Sequence, residues 1–103
     1  MDSNTGFASY TSMLQNLTSL RSVLLTRCGI ETLPVDMFSN TTQLRELSLG
    51  DNAIQSWDPD VFIPLHRLRR LYLFQNKVVT VNVASFSKLS SLRKLDLAKN
   101  PVV

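Results

Sequence analysis

Leucine and other apolar residues recur along this chain with a period of 24 residues. Alignment on Leu20, Leu44, Leu68 and Leu92 gives three full blocks and one half block. Apolar residues at positions 1, 4 and 6 of each block predict a short strand with one buried face. Strands one block apart would stack as a parallel sheet with a spacing of about 4.8 Å. No block can close its core alone, so neighbouring blocks must share one core.

Polar and aromatic landmarks follow each predicted strand at fixed positions. Position 9 holds an asparagine or a cysteine, and this ladder comprises Cys28, Asn52, Asn76 and Asn100. Because the chain must turn there, we expect the amides to satisfy the backbone of their own turn and of the neighbouring block. At Cys28 we expect a thiol that donates a weak hydrogen bond. Position 19 holds a phenylalanine that should fill the far side of each block, namely Phe38, Phe62 and Phe86.

This template resembles the extracellular, "typical" type of leucine-rich repeat, which occurs in Toll and Toll-like receptors, variable lymphocyte receptors and small leucine-rich proteoglycans. The resemblance implies an α/β solenoid. Short parallel β-strands would form its concave face, and loops and short helical turns its convex face. Toll-like receptors are favoured because their repeats tolerate substitutions such as Trp57 and Val81 for leucine.

The resemblance also sets the expected organisation of the chain as one solenoid domain. It comprises a degenerate partial repeat at 1–19, full repeats at 20–43, 44–67 and 68–91, and a half repeat at 92–103. Family members normally carry cysteine-clustered caps, and this sequence contains a single cysteine. We therefore expect an uncapped fragment of a larger ectodomain, whose exposed ends favour self-association.

Composition excludes several classes of function. The chain is 44% hydrophobic and 18% charged, which is typical of neither a disordered nor a membrane protein. One cysteine rules out an internal disulfide, and the single histidine, His66, is expected in a surface loop. No nucleophile motif, phosphate loop or metal-ligand cluster is present. We therefore expect no enzyme, no cofactor, no metal and no membrane contact from this segment.

The concave face holds the candidate binding residues. Position 2 of every block is an arginine, which gives a predicted column of Arg21, Arg45, Arg69 and Arg93. The column is either an electropositive stripe for a partner or a set of splayed side chains paired with Glu46, Asp51 or Asp96.

An aromatic pair is predicted beside this column. Tyr72 and Phe74 should stand side by side, exposed and flanked by Arg70, which is typical of a binding hot spot. The alternative is chance exposure, or contact with another copy of the chain. The candidate binding site is therefore Arg45, Arg69, Arg70, Tyr72, Phe74 and Arg93.

Two sequons and one tryptophan complete the candidates. Asn16 and Asn40 each begin an Asn-x-Thr sequon at the same position of successive blocks, which indicates a glycosylated surface without ligand contacts. Their use would place the protein in the secretory pathway. Trp57 replaces a core leucine, and its indole N–H should donate to a nearby carbonyl.

Taken with the resemblance, these features favour a protein-binding module from an innate-immune receptor ectodomain. It would recognise a ligand or a partner receptor chain in the extracellular space or the endosomal lumen, with a secreted protein as the second choice. One alternative is a structural, self-assembling segment of a matrix or scaffold protein. Nucleic-acid recognition by the arginine-lined face is less favoured, because the net charge is only +3.

Overall fold

The computed structural model describes residues 18–102, which form an open solenoid. Each block makes one turn of the solenoid, or coil, and contributes one strand to a single parallel sheet. Its four strands lie in chain order and are β1 (Ser22–Leu24), β2 (Glu46–Ser48), β3 (Arg70–Tyr72) and β4 (Lys94–Asp96). Each strand residue pairs with the residue 24 positions later, as Val23 does with Leu47. The register of the sheet is therefore the period of the sequence, and the predicted parallel sheet is present.

The return segments carry 3₁₀ helices at Pro59–Phe62 and Val83–Ser85. Both begin after a capping side chain. Asp58 Oδ1 accepts from the Asp60 N–H at 2.9 Å, and Asn82 Oδ1 accepts from the Ala84 N–H at 2.9 Å. Such caps satisfy amides that a helix start leaves without partners. The short helical turns expected on the convex side are thus single 3₁₀ turns.

Leucines of the sheet and phenylalanines of the return segments enclose one shared core. Leu47 of β2 and Leu71 of β3 are fully buried, as are the leucines that flank these strands, namely Leu44, Leu49, Leu68 and Leu73. Phe38 and Phe62 stack with centroids 6.3 Å apart, and Phe62 and Phe86 stack at 6.2 Å. This aromatic row crosses three coils. The stacking of rings between neighbouring coils stabilises their packing.

The turn after each strand contains one left-handed residue. Position 8 has a positive φ in all four coils, with values of 59° at Arg27, 56° at Asp51, 52° at Gln75 and 59° at Lys99. Side chains other than glycine adopt this region at a cost of about 1–2 kcal/mol, so the fold imposes this conformation on the residue before each ladder position.

The ladder asparagines hold the turns together across coils. Asn52 Oδ1 accepts from the N–H groups of Cys28 at 2.9 Å and Ile30 at 3.1 Å. Its Nδ2 donates to the carbonyls of Leu25 at 3.0 Å and Leu49 at 2.9 Å, and also to the carbonyl of its own turn. One amide therefore satisfies backbone groups of its own coil and of the preceding coil.

Asn76 and Asn100 repeat these contacts one and two coils later. Asn76 accepts from the Ile54 N–H at 3.1 Å and donates to Leu49 O and Leu73 O, both at 3.0 Å. Asn100 accepts from two amides of the preceding coil at 3.1 Å each. Cys28 occupies the same position with a half-buried thiol, whose Sγ donates to Thr26 O at 3.6 Å.

The expected hydrogen bond of Trp57 is absent, and that prediction is wrong. Trp57 Nε1 is buried and has no hydrogen-bond partner among the described residues. The indole instead packs against two aromatic rings, with centroids 5.8 Å from Phe62 and 6.2 Å from Phe86. The leucine position that Trp57 occupies thus places the indole against this aromatic row, and no carbonyl of residues 18–102 lies within hydrogen-bonding distance and angle of Nε1.

The part of the chain that the structure describes contains no helix long and apolar enough to cross a bilayer. Residues 18–102 likewise bring together no group of acidic, histidine or cysteine side chains that could hold a metal ion. His66 is exposed, as expected. The predicted partial repeat at 1–19 lies almost wholly outside the described residues.

We predict that Asn76→Ala lowers the free energy of unfolding by about 3 kcal/mol or more, because it leaves several buried backbone groups without partners. Asn82→Ala is the matched control. It removes one exposed capping bond and should cost about 1 kcal/mol. Urea unfolding followed by circular dichroism measures both. Equal losses would show that the ladder amides do not carry the coil contacts.

We further predict opposite effects of glycine and valine at two exposed positions. The Gln75→Gly variant should have a free energy of unfolding about 1–2 kcal/mol higher than that of Gln75→Val, because a β-branched residue disfavours positive φ. Thr80 does not have a positive φ, so the Thr80→Val variant should have a higher free energy of unfolding than Thr80→Gly. The same order at both positions in thermal unfolding would contradict the turn geometry.

Candidate binding surface

The four position-2 arginines lie in register on successive coils. The Arg45 N–H donates to Arg21 O at 2.7 Å, the Arg69 N–H to Arg45 O at 2.8 Å, and the Arg93 N–H to Arg69 O at 2.8 Å. All four residues are exposed. Because each backbone is bonded to the next, the structure aligns these cations beside the sheet at the spacing of its strands.

The alternative in which acidic neighbours neutralise this column is wrong for the described residues. Their two ion pairs join Arg27 to Asp51 at 2.7 Å and Arg70 to Glu46 at 3.8 Å. Neither involves a position-2 arginine. Asp96 instead accepts from the Ala98 N–H at 3.0 Å. The column therefore keeps its positive charges without an ion pair in the described part of the chain.

Tyr72 and Phe74 lie side by side as predicted, but they are less exposed than expected. Tyr72 and Phe74 are both half-buried, and their rings meet edge-on with centroids 6.4 Å apart. Lys94 Nζ lies 5.5 Å from the centroid of the Tyr72 ring, within the range of a cation–π interaction. The two rings are thus held in place before any partner binds.

Gly50 explains why Phe74 is partly covered. It occupies the same position as Phe74 one coil earlier, and a Cβ built on it would overlap the far end of the Phe74 ring. The far end of the ring therefore lies against the Gly50 backbone. Gly50 is buried as a result, and so is Ser48, the equivalent of Tyr72 in that coil. A larger residue at position 50 would push the ring outward.

These contacts define a basic–aromatic patch on β3 and β4, made of Arg69, Arg70, Tyr72, Phe74, Arg93 and Lys94. Arg45 lies one coil away, and its carbonyl accepts from the Arg69 and Arg70 N–H groups. Sequence reasoning missed Lys94. The 24-residue period could have predicted its place, because it pairs Lys94 with Arg70 on the neighbouring strand.

The candidate glycosylation site Asn40 lies outside the patch. It is exposed in the segment between β1 and β2. Thr41, the middle residue of its sequon, is fully buried, and its hydroxyl donates to Phe38 O at 3.2 Å. The other candidate, Asn16, lies outside the described residues.

The surface also has two furrows between neighbouring coils. The larger furrow has a volume of about 510 Å³ and is lined by Gln55, Ser56, Lys77, Val79, Thr80 and Pro101. A second furrow of about 280 Å³ is lined by Gln55, Ser56, Lys77 and residues of the first coil. The same repeat positions line both, so they reflect the spacing of coils on this flank.

The leucine rich repeat family matches residues 18–78, which is more than half of the chain. The chain belongs to the leucine-rich repeat family. This membership and the parallel sheet confirm the fold predicted from the period. A search of curated proteins returned no match.

Solved structures similar to the chain include two receptors of the Toll type. TLR13 in complex with ssRNA13 is 34% identical over 89% of this chain, with a TM-score of 0.83. Drosophila Toll in complex with Spatzle is 26% identical over 82%, with a TM-score of 0.76. An internalin of Listeria monocytogenes is 27% identical over 89%, with a TM-score of 0.69. This chain spans only 13%, 11% and 25% of those chains, respectively. The predicted resemblance to Toll-like receptor ectodomains is confirmed.

We predict that Gly50→Ala displaces the Phe74 ring and lowers the free energy of unfolding by about 1 kcal/mol or more. Gly50 does not have a positive φ, so alanine can adopt its backbone conformation. In the Phe74→Ala background the same change should cost nothing or be slightly stabilising. A double-mutant cycle by urea unfolding measures the coupling, which we expect to be about 0.5–3 kcal/mol. Additive effects would mean that the ring does not lie over Gly50.

Proposed function

We propose that this chain is a non-catalytic protein-binding module and a segment of an innate-immune receptor ectodomain of the Toll-like type. Its basic–aromatic patch would contact a protein ligand or a partner receptor chain. The observation that carries this proposal is the pre-packed pair Tyr72 and Phe74, bordered by Arg69 and Arg93, which lack ion-pair partners in residues 18–102.

Interface energetics support this assignment. A few aromatic and arginine residues dominate the free energy of most protein–protein interfaces. Tyr72 is already held by Lys94 and Phe74 by the Gly50 backbone. Such side chains lose little rotamer entropy on binding, which lowers the cost of association.

The similar receptors support the cellular context. TLR13 was solved with ssRNA13 and Toll with Spatzle, so ectodomains of this kind bind large partners. The sequons at Asn16 and Asn40 fit a protein of the secretory pathway. The extracellular space or the endosomal lumen is therefore the proposed location, with a secreted protein as the second choice.

Nucleic-acid recognition is the second candidate, favoured by the similarity to TLR13 and by the arginine column. Single-stranded nucleic acids bind proteins largely through base stacking on open aromatic faces and through phosphate contacts. Here Lys94 lies over the Tyr72 ring, and Phe74 lies on the Gly50 backbone. Fewer ring faces are open for bases, which favours the protein partner.

The proposal predicts that peptides selected from a random display library against the whole chain bind at the patch. Tyr72→Ala combined with Phe74→Ala should weaken their binding by about tenfold or more, because hot-spot truncations cost more than 1 kcal/mol each. Ile63→Ala combined with Val83→Ala is the matched control. It truncates two exposed apolar residues of the convex side. Fluorescence anisotropy measures each affinity.

Equal affinity for the wild-type and patch variants would overturn the assignment of the site. Light scattering at the working concentrations serves as the control for self-association. A chain that associates through the patch, and loses that association in the patch variant, would favour the self-assembling scaffold segment instead.

A further inference from the structure

Charge is divided unevenly along the coil. Residues 61–102 contain eight lysines and arginines but a single acidic residue, Asp96. Residues 18–60 contain three basic and six acidic residues. The mild net charge of the whole chain therefore conceals a strongly basic half, and this half contains the basic–aromatic patch. Such asymmetry is typical of a surface that meets an oppositely charged partner.

Four of these cations lie next to one another on β3 and β4. Arg69 is joined to both Arg93 and Lys94, whose N–H groups donate to its carbonyl at 2.8 Å and 3.0 Å. Arg70 pairs with Lys94 in the sheet register. The one ion pair in the group joins Arg70 to Glu46 at 3.8 Å, with side chains 60% and 31% exposed. An exposed pair at this distance offsets little of the positive potential.

This arrangement costs stability in the free protein. Like charges directly opposite each other in a sheet are destabilising, by up to about 1 kcal/mol per pair. Both cross-strand pairs, Arg69 with Arg93 and Arg70 with Lys94, carry like charges. Arg69 and Arg93 make no ion pair among residues 18–102, so no ion pair there accounts for a cation at these two exposed positions. A bound anion would reduce the repulsion, so the pattern favours an anionic partner.

The chemistry of the side chains indicates which class of anion the patch would bind. The position-2 residues are all arginines, whose planar guanidinium groups bind carboxylates through two parallel hydrogen bonds. The half-buried rings of Tyr72 and Phe74 follow Arg69 and Arg70 along the same coil and add an apolar contact next to the cations. Cations followed by rings along one strand direction suit an extended peptide, which presents side chains at a similar spacing.

We infer that the basic–aromatic patch binds an acidic, extended segment of a partner protein. Asp or Glu carboxylates of the segment contact Arg69 and Arg93, and an apolar side chain further along the segment packs on Tyr72 and Phe74. This inference rests on the proposed function and names the chemical class of the partner.

The test is direct binding of a labelled peptide to the 103-residue chain. In the probe, glutamates alternate with glycines around one phenylalanine. A control peptide carries glutamine in place of each glutamate. Single-stranded polyuridylate of equal charge is the nucleic-acid probe. We expect the glutamate peptide to bind about tenfold or more tightly than the glutamine peptide, and its affinity to fall as salt is raised.

Charge-reversed variants locate the site. Arg69→Glu combined with Arg93→Glu should weaken the glutamate peptide by about tenfold or more. Lys77→Glu combined with Lys88→Glu is the matched control. It makes the same change in net charge at exposed positions outside the patch. We expect an effect of at most about twofold there, because salt screens charges beyond roughly 8 Å. Arg69→Gln combined with Arg93→Gln provides a milder variant if the reversal alters the circular dichroism spectrum.

Three outcomes would overturn the inference. Equal loss in the patch and control variants would mean a response to net charge alone. Equal affinity for the glutamate and glutamine peptides would exclude carboxylate recognition. Tighter binding of polyuridylate than of the glutamate peptide, lost in the same patch variant, would favour nucleic acid. If display-selected peptides still depend on Tyr72 and Phe74 in any of these cases, the protein-binding role stands and only the acidic partner fails.

Discussion

The hydrogen bonds of the ladder asparagines are the constraint on which the rest of this structure depends. Each amide joins its own turn to the backbone of the preceding coil, as Asn76 does through Leu73 O and Leu49 O. The coils are thereby locked at one offset, and equivalent residues must fall beside each other in the sheet. The left-handed residue before each ladder position and the row of phenylalanines both follow from the same repeated geometry.

The candidate binding residues occupy positions whose side chains this constraint does not specify. Residues facing away from the core contribute little to closing a coil, yet the register aligns them into columns as strictly as the leucines. The arginine column and the basic–aromatic patch are such products of alignment. Like charges are therefore held side by side by backbone bonds, despite their repulsion. Under the proposed function, a bound anionic partner would reduce this repulsion.

Much of the fold could be predicted from the sequence, because the 24-residue period encodes both the strands and their register. The details of the site could not be predicted as well. The burial of Phe74 depends on Gly50 one coil earlier, and the role of Lys94 depends on Tyr72 beside it. Such contacts join different repeats, so a template applied to one repeat at a time does not reveal them. The error at Trp57 has a partly similar cause, since its indole packs against Phe86 of the next coil as well as against Phe62 of its own coil.

The central claim is that partners bind the concave patch of β3 and β4, and mapping of amide chemical shifts tests it most directly. The 103-residue chain would be titrated with its tightest display-selected peptide and followed by nuclear magnetic resonance. The account predicts the largest changes within residues 69–74 and 93–96, with little change in the 3₁₀ helices at Pro59–Phe62 and Val83–Ser85. Changes centred on those helices, or on the furrow beside Gln55 and Thr80, would contradict it.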